Sequence, residues 1–188
     1  MKIAITGSNG FLGRNFIKFS KQKNINILKL PSASGLKNYK KKENYEKISK
    51  ILSKKKVKCL IHFAGIRKME CEKNYFYANK SIFGFTKKLV DTLKNNEEIS
   101  LIYISSDHVY DGKASLVKEK NLKNLKPKTN LGILKLKSEK YLKLNLKKWS
   151  IIRLSAIMDD PRLSNFVIDN LRKEKKIDLF TNLFFSPV

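Results

Sequence analysis

The sequence predicts an α/β fold, a doubly wound parallel sheet with helices on both faces. Three observations lead there. Short apolar strands recur along the chain with little alternation of polar and apolar residues. Such strands belong to parallel sheets that are covered on both faces. Helical patterns separate the strands, and right-handed crossovers then wind helices over both faces of the sheet. Finally, the first strand runs straight into glycines at the spacing Gly7-x-x-Gly10-x-x-Gly13, and an amphipathic helix follows.

The elements follow in order. Met1–Thr6 reads as the first strand. The helix behind the glycines places Leu12, Phe16, Ile17 and Phe19 on one face. Ile25–Leu30 reads as strand, and Tyr45, Ile48, Ile51 and Leu52 recur at helical spacing. Val57–Phe63 is an apolar strand interrupted only by Lys58. Asn74–Leu93 reads as one long helix with Ile82, Phe85, Leu89 and Val90 inward. Ile99–Ile104 is strand, Leu131–Leu146 helix, Ile151–Leu154 strand, Phe166–Leu171 helix and Ile177–Phe180 a short strand. The loop Asp111–Pro127 is long and lysine-rich, and long loops after such strands commonly belong to active sites.

The glycine spacing has a chemical meaning in this setting. Gly7 permits a tight turn, Gly10 lets backbone approach a pyrophosphate, and Gly13 lets the helix pack close to the strand. The helix N-terminus offers free N–H groups and partial positive charge to phosphates. The strand–turn–helix context makes this a dinucleotide-binding turn rather than a bare glycine-rich loop.

Composition narrows the alternatives. The 188 residues suit one domain, with 41% hydrophobic residues. No apolar run reaches the roughly 20 residues of a membrane span, so no membrane role is expected. Met1–Ile5 is a strand that meets glycine at once, which does not resemble a signal peptide. Cys59 and Cys71 lack metal or redox spacing and read as two reduced thiols, so a cytoplasmic protein without a metal is expected. The formal charge is +25, from 41 Lys and Arg against 16 Asp and Glu. That excess is mostly lysine and is spread over every predicted helix and loop, whereas specific nucleic-acid readers favour arginine. No specific nucleic acid is therefore expected, only weak, salt-sensitive association with polyanions.

Five ordered segments resemble the extended short-chain dehydrogenase/reductase superfamily. They are Thr6-Gly7-x-x-Gly10-x-x-Gly13, then His62-Phe63-Ala64-Gly65, then Cys71-Glu72-Lys73-Asn74 with Asn79 and Gly84. Tyr103-Ile104-Ser105-Ser106-Asp107-His108-Val109-Tyr110-Asp111-Gly112 follows, and Pro127 with Gly132-x-x-Lys135-Leu136-x-x-Glu139 completes the set. The fourth segment resembles the Y-I-S-T-D-Y-V-F-D-G signature of the dTDP-4-dehydrorhamnose reductase family. Ile152-Arg153-Leu154, Asn165-Phe166 and Phe185-Ser186-Pro187 fit the later segments of that family.

The resemblance implies a Rossmann-like domain over residues 1–188 and hydride transfer to the 4-keto group of a nucleotide sugar. It implies a nicotinamide dinucleotide as cofactor, NADP or NAD. By position it assigns cofactor binding to Gly7, Asn9, Gly10, Phe11, Leu12, Gly13, Phe63, Ala64, Gly65, Asn79 and Lys135. Ser106 takes the role of the hydroxyl beside the reacting oxygen, and Lys135 that of the lysine beside the catalytic tyrosine. A donor there stabilises the alkoxide charge that develops as hydride arrives.

Three departures follow. The position four before Lys135 is Leu131, where the family carries tyrosine. Losing a general acid costs roughly 10²–10⁴-fold in rate. His108 stands where the signature has tyrosine and reads as a loop residue, and His62 reads as a hydrogen-bonded strand end. Second, set against the family's pattern, residues 155–188 read as the incomplete start of a substrate-binding part, the rest of which is expected to be mostly absent. A homo-oligomer, or a partner supplying that part, is the expectation. Third, Lys29–Lys37 holds Ser32, Ser34 and two lysines but no acid, which favours a 2′-phosphate and hence NADP. The competing readings are a catalytically silent dinucleotide-binding homologue, a nucleotide-sugar epimerase or dehydratase, and a basic nucleic-acid-associated protein.

Overall fold

The computed structural model describes residues 2–30, 42–110, 125–155, 168–169 and 172–173, with side chains from Ile48 onward in the helix that begins at Lys42. The chain divides into two compact units, Met1–Arg153 and Leu154–Val188. In the second, Ile168 and Asp169 are helical, and Lys173 N–H donates to Asp169 O (3.3 Å). Ser32, Ser34, Lys37, most of the loop Asp111–Pro127, the strand expected at Ile177–Phe180, and Asn165, Phe166, Phe185, Ser186 and Pro187 lie outside the described residues.

The described strands are β1 (Lys2–Thr6), β2 (Ile27–Lys29), β3 (Val57–His62), β4 (Ser100–Ser106) and β5 (Trp149–Leu154). They form one sheet in the order β2-β1-β3-β4-β5. β1 pairs in parallel with β2 and β3, and β3 with β4, which sets Thr6 beside His62 and His62 beside Tyr103. Strand order therefore reverses between β1 and β3. The crevice at the carboxyl ends of those two strands is where open α/β sheets bind ligands. The parallel α/β architecture is the one the apolar strands predict.

Helix α1 spans Phe11–Gln22, and its buried residues are Gly13 and Ser20. Leu12, Phe16 and Ile17 are half-buried, but Phe19 is exposed, contrary to the sequence expectation. It lies about 120° around the helix from Gly13, off the stripe facing the sheet. Ser20 takes the inward place, its hydroxyl donating to Phe16 O (2.7 Å). β2 is shorter than the expected Ile25–Leu30, though Leu30 is buried in the core. α2 (Lys42–Lys54) buries Ile48 and Leu52 against the sheet.

The long helix expected over Asn74–Leu93 is a run of three segments. α4 (Tyr75–Asn79) passes into a π-turn (Lys80–Gly84) and then α5 (Phe85–Leu93). A further short helix, α3 (Lys68–Lys73), precedes it and has no apolar periodicity to announce it. Ile82, Phe85, Leu89 and Val90 are inward, as the periodicity predicts. α6 (Asn130–Asn145) is capped by Thr129, whose hydroxyl accepts from Gly132 N–H (3.1 Å).

One core cluster joins Ala4, Ile48, Leu52, Leu60, Leu89, Leu101 and Leu142 across the sheet and its helices. A second holds Cys71, Ala78, Ile82, Leu131 and Leu134. Cys59 and Cys71 are free and buried. Among the described residues no helix is long and apolar enough to cross a membrane.

Candidate functional site

The turn after β1 is built on close approach. Gly7 sits at φ +71°, a region that side-chain-bearing residues rarely adopt. A Cβ there would stand 2.6 Å from Ala64 N and 2.8 Å from the carbonyl carbon of Phe63. The exit of β3 thus presses backbone to backbone on the glycine turn. A Cβ on Gly13 would stand 2.2 Å from Gly7 O. Gly10 differs: its Cβ position is 3.3 Å from Gly7 O, and the residue is exposed.

Gly10 is also the N-cap of α1, and no side chain caps it. The first helical hydrogen bond runs from Arg14 N–H to Gly10 O (2.9 Å). The N–H groups of Phe11, Leu12 and Gly13 precede it and have no acceptor within the helix. No acidic side chain stands in the first turn. This end carries the positive pole of a twelve-residue helix. Asn9 and Gly10 are exposed at its mouth. Phe63, after β3, packs its ring against Phe16 of α1 at 5.4 Å.

Behind the turn runs a buried polar chain. Ala64 N–H donates to Thr6 Oγ1 (3.4 Å), and Thr6 Oγ1 meets His62 Nδ1 at 2.6 Å. His62 Nε2 meets Thr86 Oγ1 at 3.1 Å, and the Thr86 hydroxyl donates to Ile82 O (2.7 Å). Burial, reinforced by the Lys135 charge, holds the His62 pKa down to about 3, so the ring is neutral. His62 is thus a hydrogen-bonded strand end, as the sequence suggests.

Lys135, on α6, is buried. Its ammonium donates to Ile104 O (2.7 Å) and lies 4.9 Å from the centre of the Tyr103 ring. It stands 3.6 Å from where a Cβ on Gly65 would be. Burial brings its pKa down to about 8, against the opposing influence of Cys71 and Glu139. Lys135 is therefore bonded to the end of β4 and stands beside Gly65 at the β3 exit. The hydroxyl of Ser106, two residues beyond Ile104, donates to Asp107 Oδ1 (3.0 Å) and accepts from His108 N–H (3.3 Å), opening a short 3-10 turn. Asn79 lies where α4 meets the π-turn, and its Oδ1 is buried without a hydrogen-bond partner.

Leu131 is nearly buried in the apolar cluster with Cys71, Ala78, Ile82 and Leu134. It lies one helical turn before Lys135 on the same face. No group at Leu131 can give a proton.

Sequence reading missed a second buried network. Glu139 accepts from Arg153 Nε (3.0 Å) and Arg153 NH2 (2.6 Å), and from the Ser105 hydroxyl (2.6 Å). Arg153 also donates to the Tyr110 hydroxyl (3.0 Å). The carboxylate holds the guanidinium pKa above its ordinary value. These bonds fasten α6 and β5 to the end of β4 and the segment that follows it. Glu139 and Arg153 were visible in the motifs, but their partnership is spatial. Gly132 was likewise legible only as a motif letter. A Cβ there would stand 2.0 Å from His108 O, so α6 rests directly on the turn after Ser106.

These residues fit a dinucleotide. The cradle at Gly7 and Gly13 admits no side chain, the adjacent helix end lacks acceptors, and Lys135 and the Asn79 oxygen stand on the elements flanking it.

The family described as RmlD substrate binding domain matches residues 1–181. A sequence comparison with the curated proteins finds no match. Among solved structures, a dTDP-4-dehydrorhamnose reductase from Clostridium acetobutylicum is 28% identical with a TM-score of 0.76, and the match covers 93% of this chain and 60% of that one. A dTDP-4-dehydrorhamnose reductase from Bacillus anthracis, in complex with NADP, is 21% identical with a TM-score of 0.71, covering 93% and 61%. A UDP-glucose 4-epimerase from Thermotoga maritima, with UDP-glucose, is 17% identical with a TM-score of 0.73, covering 97% and 66%. The last two likenesses speak to the fold alone. The chain spans about 60% of the length of the two reductases.

Proposed function

The chain belongs to the RmlD substrate binding domain family, and on that basis we propose that it binds NADP(H) at the Gly7–Gly13 turn and acts on the 4-keto group of a nucleotide sugar. The observation that carries the reading is the Gly7 turn itself, closed against Ala64 at the point where strand order reverses. The B. anthracis reductase holds NADP and other structural neighbours hold NAD, in keeping with NADP as the cofactor and NAD as the alternative. NADPH, when bound, would supply hydride.

The chain's own residues have separable roles. The N–H groups of Phe11, Leu12 and Gly13 would receive the pyrophosphate, with Asn9 and Gly10 at its edge. Phe63, Ala64 and Gly65 line the crevice from β3. Lys135 would hold the ribose beside the nicotinamide, and Asn79 would supply an acceptor. Ser106 would release Asp107 and donate to the substrate oxygen.

Leu131 favours a second reading, a dinucleotide-binding homologue with little turnover, because an apolar side chain fills the place of the proton donor. The buried free thiols are consistent with a reducing compartment, and we place the protein in the cytoplasm.

Calorimetric titration tests the binding. NADPH should bind more tightly than NADH at matched salt, and Gly10→Val should abolish binding, since its side chain enters the pyrophosphate's place. Equal affinity in Gly10→Val would remove the assignment. Turnover of a 4-keto sugar nucleotide separates the reductase from the silent homologue.

A further inference from the structure

We infer, resting on the dinucleotide reading for the ligand and on burial and hydrogen bonds for the protons, that His62 is a positioning residue for the glycine turn, held as the neutral Nε2–H tautomer between Thr6 and Thr86.

For a neutral ring, the shorter of the two Thr86 contacts sets the proton count. Ile82 O only accepts and lies 2.7 Å from the Thr86 hydroxyl, closer than Nε2 at 3.1 Å, and so takes its single hydrogen. Toward His62, Thr86 Oγ1 can then only accept, and Nε2 must carry the hydrogen (3.1 Å). A neutral imidazole has one N–H, so Nδ1 is bare and accepts from the Thr6 hydroxyl (2.6 Å). The remaining lone pairs of Thr6 Oγ1 are free for Ala64 N–H (3.4 Å). Donors and acceptors alternate from the β3 exit to the π-turn. The opposite tautomer would set Nδ1–H against Thr6 and require the Thr86 hydrogen to turn from Ile82 O (2.7 Å) to the more distant Nε2 (3.1 Å).

The consequence is positional. Thr6 immediately precedes Gly7, and Ala64 N is the atom that a Gly7 side chain would strike at 2.6 Å. The same two backbone segments are therefore held apart by contact and held together through Thr6 and His62. Thr6, His62 and Thr86 are each at most 1% exposed, so water cannot replace a lost partner. At the far end, Ile82 lies inside the π-turn that begins next to Asn79. π-turns within α-helices recur at functional sites. His62 thus joins the turn that would hold the pyrophosphate to the helix that carries Asn79, without touching the ligand itself.

The test is nitrogen NMR on the full chain, which has two histidines, so His108→Gln assigns His62. At neutral pH the spectrum should show a protonated Nε2 and a bare, hydrogen-bonded Nδ1. A protonated Nδ1, or rapid exchange between tautomers, overturns the inference. In parallel, Thr6→Val should weaken NADPH binding about tenfold and shift the Gly7 and Ala64 amide signals, whereas Thr6→Ser should stay within about twofold of the natural chain. Unchanged affinity and unmoved amides in Thr6→Val also overturn it. If Thr6→Val does not fold, His62→Asn and His62→Gln carry the contrast. The Asn oxygen stands where Nδ1 stands and should keep the Gly7 and Ala64 amides in place, while Gln keeps only the Thr86 contact and should displace them. The reverse pattern counts against the role. If the natural chain binds no dinucleotide, the function proposed above falls, and the tautomer and amide signals still decide the positioning role.

Discussion

A Cβ on Gly13 would stand 2.2 Å from the carbonyl oxygen of Gly7, so α1 rests on the turn that introduces it. The contact is between backbones, and neither side can rotate away. Gly13→Ala should therefore destabilise the ligand-free protein by about 1–3 kcal/mol through overpacking. Gly10→Ala should cost less, about 0.5–1 kcal/mol, mainly as a poorer N-cap. Urea unfolding of the two variants checks the order. Equal losses would mean that the turn relaxes and that the glycine spacing serves only the ligand.

Arg153 and Glu139 invite a different experiment. Glu139 is 1% exposed and takes two hydrogen bonds from the guanidinium and one from Ser105. Arg153→Met should destabilise by about 3 kcal/mol, because it strands a buried carboxylate. The double variant Glu139→Leu/Arg153→Met should lose less than Arg153→Met alone, since no charge is left buried. Denaturant midpoints of the two variants decide it, and a double variant as unstable as the single one defeats the explanation.

The pH dependence has a defined sign. His62 has a pKa of about 3 in the fold against an ordinary 6.5, so the unfolded chain binds more protons between those values. Its contribution to stability is present above pH 6.5 and is lost as pH falls toward 3. Asp91, whose pKa is also lowered, slopes the same way in acid, although burial partly opposes its bonds to Lys87, Tyr141 and Lys94. His62→Asn should therefore flatten, not abolish, the slope. Lys135, brought down to about 8 by burial, adds stability as pH rises above 8, and Cys71, raised to about 11 by burial, opposes this above its ordinary 9. Melting temperatures across pH 4–9 for the natural chain and His62→Asn measure the difference. Parallel curves in acid would show that His62 does not set the slope.

The sheet was legible because its strands are apolar on both faces, and the glycine turn because strand, spacing and helix occur together. The site residues were legible one by one as motif letters. Their connections were not. Thr6, His62 and Thr86 are far apart in sequence, and nothing in periodicity joins a strand end to a helix threonine. The π-turn was invisible for a related reason. Lys80–Gly84 carries no residue type that demands it, and Ile82 and Phe85 keep an inward pattern that a plain helix also satisfies. Phe19 misled because an aromatic near the right spacing outranks Ser20 in any apolar count, yet Ser20 bonds its own helix and fits against the sheet.

Leu131 carries the sharpest expectation. It stands one turn before Lys135, and of its neighbours Cys71, Ala78, Ile82 and Leu134 only Cys71 carries an ionisable group, a thiol whose pKa burial raises to about 11. A phenol there would lie on the same helix face as the Lys135 ammonium, which would favour the phenolate by charge proximity. Leu131 is buried in this cluster, so a larger ring should cost about 1–3 kcal/mol of stability. Leu131→Phe shares that cost without the hydroxyl and is the control. The natural chain should oxidise NADPH negligibly with a 4-keto sugar nucleotide. Leu131→Tyr should raise the rate by at most roughly 10²–10⁴-fold, and Leu131→Phe should not raise it. A gain in both variants would trace the effect to packing, not proton donation. No gain in Leu131→Tyr with NADPH still bound would move the defect to the sugar pocket, and brisk turnover by the natural chain would mean that another donor already stands in for the tyrosine.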